Sequence, residues 1–195
     1  MRVLVVYCHP VEDSFCAALR DAAVAAIHAK GCEAHVLDLY AEDFDPVMRA
    51  GERRGYNEHA PDDPALQPHI ERLRWAEAMV FVYPTWWYGL PAMLKGWLDR
   101  VWAKDVAFTF DNARPTMEPL MGHIRKIAVV TTCGAPWWWS VLVGQPGRKT
   151  ITRGIRGLCG WRCRTTYMAH YLMDSSTPES RKAFLDKVKR RLERF

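Results

Sequence analysis

No apolar run in this chain approaches the length needed to cross a bilayer; the longest, such as residues 78–83, are strand-sized. No integral membrane segment is predicted. Residues 3–7 follow Met1 and Arg2 directly, leaving no room for the apolar core and cleavage site of a leader peptide, so the expected compartment is the cytoplasm. The six cysteines (Cys8, Cys16, Cys32, Cys133, Cys159 and Cys163) include no C-x-x-C pair and no histidine at ligand spacing. That argues against a zinc centre or a disulfide framework and for reduced thiols, and no metal site is predicted. Also missing are a G-x-G-x-x-G fingerprint, a Walker sequence and a G-x-S-x-G elbow. A Rossmann dinucleotide site, a P-loop and a hydrolase nucleophile are thereby set aside. Acidic residues are in modest deficit, 22 against 27 basic, giving a formal charge of +5. The excess lies mainly at 148–164 and 182–194, without a nucleic-acid recognition motif, and reads as solvated helix face. No nucleic-acid partner is expected, although a basic surface suits an anionic dinucleotide.

The 195 residues, 49% hydrophobic and 25% charged, fit one globular domain over 1–195. Strand-like runs rich in β-branched residues fall at 2–7, 33–39, 78–83, 127–132 and 165–171. Helical spacing appears at 14–30, 65–76, 91–103, 145–158 and 178–194. Asp13 or Ser14 can cap the first helix and Gly31 can stop it. Regular alternation of this kind predicts an α/β fold, one parallel sheet with helices on both faces. In the doubly wound order 2-1-3-4-5 the switch point falls between strands one and three. The loops after Tyr7, Tyr83 and Thr132 then converge. Residues 40–64, rich in charge, proline and glycine, form the one long connection.

Those three loops are also unusual in composition. Between Tyr83 and Trp102 the chain reads Y-P-T-W-W-Y-G-L-P-A-M-L-K-G-W-L-D-R-V-W, a strand end, an aromatic turn and an amphipathic helix. Aromatic rings on a strand's exit loop suit a flat, conjugated ligand better than core packing. The first loop, Cys8-His-Pro-Val-Glu-Asp-Ser-Phe15, opens a helix whose free N–H groups and positive end suit a phosphate. The third, Thr131-Thr-Cys-Gly134, is small enough for its backbone to approach a ring.

Together these segments resemble the flavodoxin-like NAD(P)H:quinone oxidoreductases, which include mammalian quinone reductases, bacterial modulators of drug activity and potassium-efflux ancillary proteins. The resemblance implies a five-stranded flavodoxin-like sheet and a flavin, FAD with FMN as the alternative. It places His9 and Ser14 on phosphate oxygens, with the N–H groups of Phe15 and Cys16 beside them. Pro84, Thr85, Trp86, Trp87 and Tyr88 would border the ring system, their backbone donors reaching its N5 and O4 edge. Thr131, Thr132, Cys133 and Gly134 would lie at the pyrimidine side. Where mammalian members carry a Tyr and, six residues on, a His that steady charge on the reduced ring, ungapped continuation puts Trp139 and Gln145. These are candidate substrate-site residues, with 135–140 as an aromatic lid. No side-chain nucleophile is required. The implied reaction is two-electron reduction of a quinone or similar aromatic acceptor by NAD(P)H in a ping-pong cycle, hydride passing through flavin N5. Implied partners are a second copy in a homodimer, to which 40–64 contributes. The alternatives are an FMN-dependent azo- or nitro-reductase, a flavodoxin-type electron carrier, and a regulatory flavoprotein subunit of a membrane transporter.

Overall fold

A computed structural model describes residues 1–111 and 114–195. The main sheet is parallel and five-stranded: β1 (Arg2–Tyr7), β2 (Glu33–Asp38), β3 (Ala78–Thr85), β6 (Lys126–Cys133) and β7 (Arg164–His170), in spatial order β2-β1-β3-β6-β7. Counting only its own strands, that is the expected 2-1-3-4-5. The three inner strands are near-continuous apolar runs because helices cover both faces.

On one face α1 (Phe15–Ala29) and α8 (Pro178–Leu192) pack over Val3, Val5, Val80 and Val130. On the other, α3 (Gln67–Trp75) and α4 (Ala92–Val101) cover Leu4, Val6, Phe81 and Val129. Alternate residues of each strand feed opposite cores, as the pleat requires. Ser14 caps α1 by accepting from the Ala17 N–H at 3.2 Å, and Thr177 caps α8.

Three features depart from the expectation. A hairpin, β4 (Phe108–Asp111) with β5 (Arg114–Pro119), follows α4. The stretch 145–158, expected as one helix, is helical without a gap from Pro146 to Leu158 but changes to π geometry in its middle: α6 (Pro146–Lys149), a π segment (Thr150–Ile155) and α7 (Arg156–Leu158), preceded by α5 (Trp137–Leu142). Pro146 opens it at the first helical position. Residues 40–64 contain α2 (Ala50–Gly55) and are tied to α4 by Arg100. All six cysteines are free, and no described helix is long and apolar enough to cross a membrane.

Candidate functional site

The sheet opens where its topology changes direction. β1 and β3 pair as far as Tyr7 and Val82, and the Cys8 N–H closes that ladder on the Val82 carbonyl at 3.0 Å. β3 and β6 stay paired to Thr85 and Cys133. Past Val82, therefore, β3 has a neighbour on one side only, and a crevice forms beside it. Pro84 becomes tolerable in an otherwise central strand because it lies beyond the last β1 partner, where no ladder donor is needed.

The first loop walls this crevice with the start of α1. The N–H groups of Phe15 and Cys16 precede the first intrahelical bonds, from Ala17 and Ala18 to Ser14, so they have no acceptor within the helix. Ser14 Oγ lies 3.4 Å from Tyr7 Oη besides its capping bond. His9 Nδ1 accepts from the Val11 N–H at 3.1 Å, and its ring stands 6.3 Å from that of Trp86. Cys16 is buried with Sγ 3.6 Å from Thr132 Oγ1, and burial pushes its thiol up to about 11. Its side chain joins α1 to β6; only its N–H is available to a ligand.

The second loop is strained. Trp86 and Gly89 pair across a two-residue turn whose central residues, Trp87 and Tyr88, both have left-handed backbone (φ 48° and 63°). Such a turn favours Asn-Gly, and bulky residues there cost roughly 1 kcal/mol each. Trp87 is 95% exposed, so its own burial recovers none of that cost. Backbone strain of this kind clusters at active sites, ligand clamps and switch regions.

Thr85 Oγ1 meets Thr131 Oγ1 at 2.8 Å and locks the second loop to the third. Thr131, Thr132 and Cys133 are buried, with Cys133 Sγ 3.6 Å from Ser140 Oγ, so this loop presents backbone. A Cβ on Gly134 would fall 2.6 Å from an Asp174 carboxylate oxygen. All three loops thus meet as the sequence predicts.

Trp139 and Gln145 both lie against the second loop or its neighbours, in roles the sequence does not reveal. Trp139 Nε1 donates to Tyr88 Oη at 2.7 Å, bracing the strained turn, while Trp137 and Trp138 are 60% and 61% exposed. Gln145 Nε2 donates to Tyr171 Oη at 3.2 Å, and Arg148 Nη1 donates to Gln145 Oε1 at 2.8 Å. Gln145, Arg148 and Tyr171, with Thr85, Tyr88 and Tyr167, line a narrow cleft. Burial raises the phenols of Tyr167 and Tyr171, keeping both protonated at neutral pH. Sequence reasoning misses Arg148, Tyr167 and Tyr171: the first looks like one more cation in a basic run, the tyrosines like strand residues.

The model of a family described as having a flavodoxin-like fold matches residues 1–194. NAD(P)H dehydrogenase (quinone) 1 of Cavia porcellus is 30% identical over 213 residues, covering 98% of this chain and 76% of that protein. This chain belongs to the flavodoxin-like NAD(P)H:quinone oxidoreductases. Among solved members, an NAD(P)H:quinone oxidoreductase from Methanothermobacter marburgensis superposes with a TM-score of 0.85 at 25% identity, covering 99% of this chain and 98% of that one. The Streptococcus mutans UA159 protein Smu.1420 gives 0.86 at 26% identity, with complete coverage of both. Azoreductases from Bacillus anthracis share the fold, at 18% and 15% identity.

A flavin suits the donor set of this family member. Uncapped N–H groups at the start of α1 match a phosphate, and the backbone of the turn at 85–88 matches the ring's polar edge.

Proposed function

We propose that the protein is a flavin-dependent NAD(P)H oxidoreductase that reduces quinones by two electrons. The observation that carries this reading is the strained, exposed turn at Trp87 and Tyr88, seated at the switch point of the sheet and braced by Trp139. The names of relatives, two NAD(P)H dehydrogenases (quinone) and an NAD(P)H oxidoreductase among them, support it. FAD is the favoured cofactor and FMN the alternative.

A bound flavin would supply the hydride-transfer chemistry between NAD(P)H and the acceptor. The chain's residues bind and orient. Phe15 and Cys16 offer backbone donors to phosphate, with His9 and Ser14 alongside. Donors on 84–88 and 131–134 are fixed before reaction and so stabilise developing negative charge without reorganising. Trp86, whose ring faces His9, walls the stacking face, which would hold nicotinamide and then acceptor at reactive distance in turn, and that is where much of the rate arises. The exposed indoles Trp87, Trp137 and Trp138 beside the crevice support a homodimer in which a second copy covers them. A single domain in the cytoplasm completes the reading, in keeping with six free cysteines.

Purified protein should be yellow, bleach when titrated anaerobically with NADH or NADPH, and recolour with menadione. Parallel assays with an azo dye and a nitroaromatic separate the quinone reading from the azo- and nitro-reductase one. Protein that stays colourless after incubation with FAD and with FMN would refute the proposal.

A further inference from the structure

Arg148 belongs to none of the three loops, yet the segment that carries it is fixed to the second of them. Gln145 has left-handed backbone (φ 50°, ψ 56°) directly after left-handed Gly144 and directly before Pro146. A residue preceding proline is driven toward extended backbone, so this conformation is doubly disfavoured. Two contacts hold it. The Gln145 N–H bonds the Ser140 carbonyl at 3.0 Å, and the Gly147 N–H bonds the Tyr88 carbonyl at 3.2 Å. Gly147 and Gly89 approach so closely that a Cβ on Gly147 would lie 3.0 Å from the Gly89 carbonyl carbon. The segment carrying Gln145 and Arg148 is therefore clamped to the aromatic turn itself.

Within that clamp the hydrogen bonds run in one direction. Arg148 donates to the Gln145 carbonyl oxygen, and the Gln145 amide nitrogen donates to the Tyr171 hydroxyl oxygen. An amide polarised by a cation at its oxygen is a stronger donor at its nitrogen, and the phenol it reaches is a stronger donor in turn. The Tyr171 hydroxyl oxygen also accepts from the Tyr167 phenol, which leaves the Tyr171 proton to point elsewhere. Arg148 is exposed and has no carboxylate within salt-bridge distance among the described residues, so water rather than a counter-ion is what screens its charge. A packing role alone, with the guanidinium 5.0 Å over the Tyr167 ring, calls for neither the strained Gln145 nor the chain of donors.

We propose that Arg148, acting through Gln145 and Tyr171, supplies the positive charge that favours the reduced over the oxidised flavin in this protein. This rests on the flavin reading above. Arg148 is thus a positioning residue rather than one that touches the reacting atoms. Reduction adds negative charge to the pyrimidine side of the ring, and a fixed cationic chain at that side binds the reduced form more tightly.

The test is the midpoint potential of bound flavin, set by equilibration with a reference dye, in wild type, Arg148→Met, Arg148→Lys and Tyr171→Phe. Arg148→Met keeps the apolar stem and removes the charge. It should retain stoichiometric flavin while preference for the reduced form falls about tenfold, a shift of about 30 mV to more negative potential for a two-electron couple. Arg148→Lys should recover part of the shift, and Tyr171→Phe should reproduce part of it. In steady state Arg148→Met should lower kcat and leave the quinone KM unchanged. An unaltered potential in flavin-loaded Arg148→Met would overturn the proposal and leave the flavin reading standing. Failure of the wild type to take up FAD or FMN would overturn both.

Discussion

At the scale of single residues, the site depends on places where a side chain is absent. Gly147 faces the backbone of Gly89, and an added Cβ would meet carbon at 3.0 Å; Gly89 itself faces only atoms at 3.8 Å or more. Backbone cannot swing aside as a flexible side chain can, so Gly147→Ala must part the two segments or distort both. Overpacking of this kind costs roughly 1–3 kcal/mol. We expect Gly147→Ala to lower stability in urea by about 1 kcal/mol and to weaken flavin retention after gel filtration, because the Trp86–Gly89 turn loses its brace. Gly89→Ala should leave the urea midpoint close to wild type. Equal midpoints for both variants would show that the clamp between the segments is not tight. Residues of this sort are hard to see in a sequence, since Gly147 differs from any loop glycine only through a neighbour 58 positions away.

Among the elements, legibility follows the range of the interactions that form them. All five parallel strands can be read because an inner strand covered on both faces must be a short β-branched run, and each observed strand lies within two residues of its expected bounds. The site loops are legible because they follow from strand order and carry the family's motifs. By contrast, β4 and β5 are short and carry Pro115 and Pro119, while Trp137–Leu142 reads as a lid because three consecutive indoles mask its helical start. Arg148, Gln145 and Tyr171 come together only when the end of β7 reaches α6, which no local pattern encodes. Residues 40–64 show the same limit. Composition alone permits an unstructured loop there, but Arg100, only 6% exposed, bonds Glu52, Asp63 and the Asp45 carbonyl together. Gly96, one turn earlier on α4, lets Pro46 press against the helix backbone, where a Cβ would collide with it. Gly96→Ala should therefore cost about 2 kcal/mol and expose 48–62 to limited proteolysis. Arg100→Lys should produce the same cleavage with a smaller stability loss, since an ammonium cannot span three acceptors in a plane. Unchanged cleavage rates in both variants would mean that the segment is held by other contacts.

Taken as a whole, the molecule buries one imidazole on each side of its sheet. His69 on α3 packs against Phe44 with its Nδ1 unbonded, facing Glu42, Arg72 and Arg100. His170, at the end of β7, lies between Phe15 and Phe184, also with Nδ1 unbonded, facing Arg181 and the backbone at Ser180. Burial is the main cause that lowers both below the ordinary histidine value; Glu42 opposes it at His69 without overcoming it. The sign follows by linkage. With a folded pKa below the unfolded one of about 6.5, each histidine binds more proton in the unfolded chain over the window between the two values. Stability is then fully present above pH 6.5 and declines as pH falls toward the folded values, with a slope of at most about 1.4 kcal/mol per pH unit for each proton. Urea midpoints measured from pH 7.5 down to 5.5 should fall steadily below 6.5, well before carboxylates titrate. His170→Phe replaces a buried imidazole by a ring suited to its two phenylalanine neighbours, and should flatten that decline while leaving the midpoint at pH 7.5 equal or higher. A parallel decline in wild type and variant would show that His170 binds its proton in the fold as readily as in the unfolded chain, and would move the assignment to His69, where Glu42 and Arg72 meet the ring.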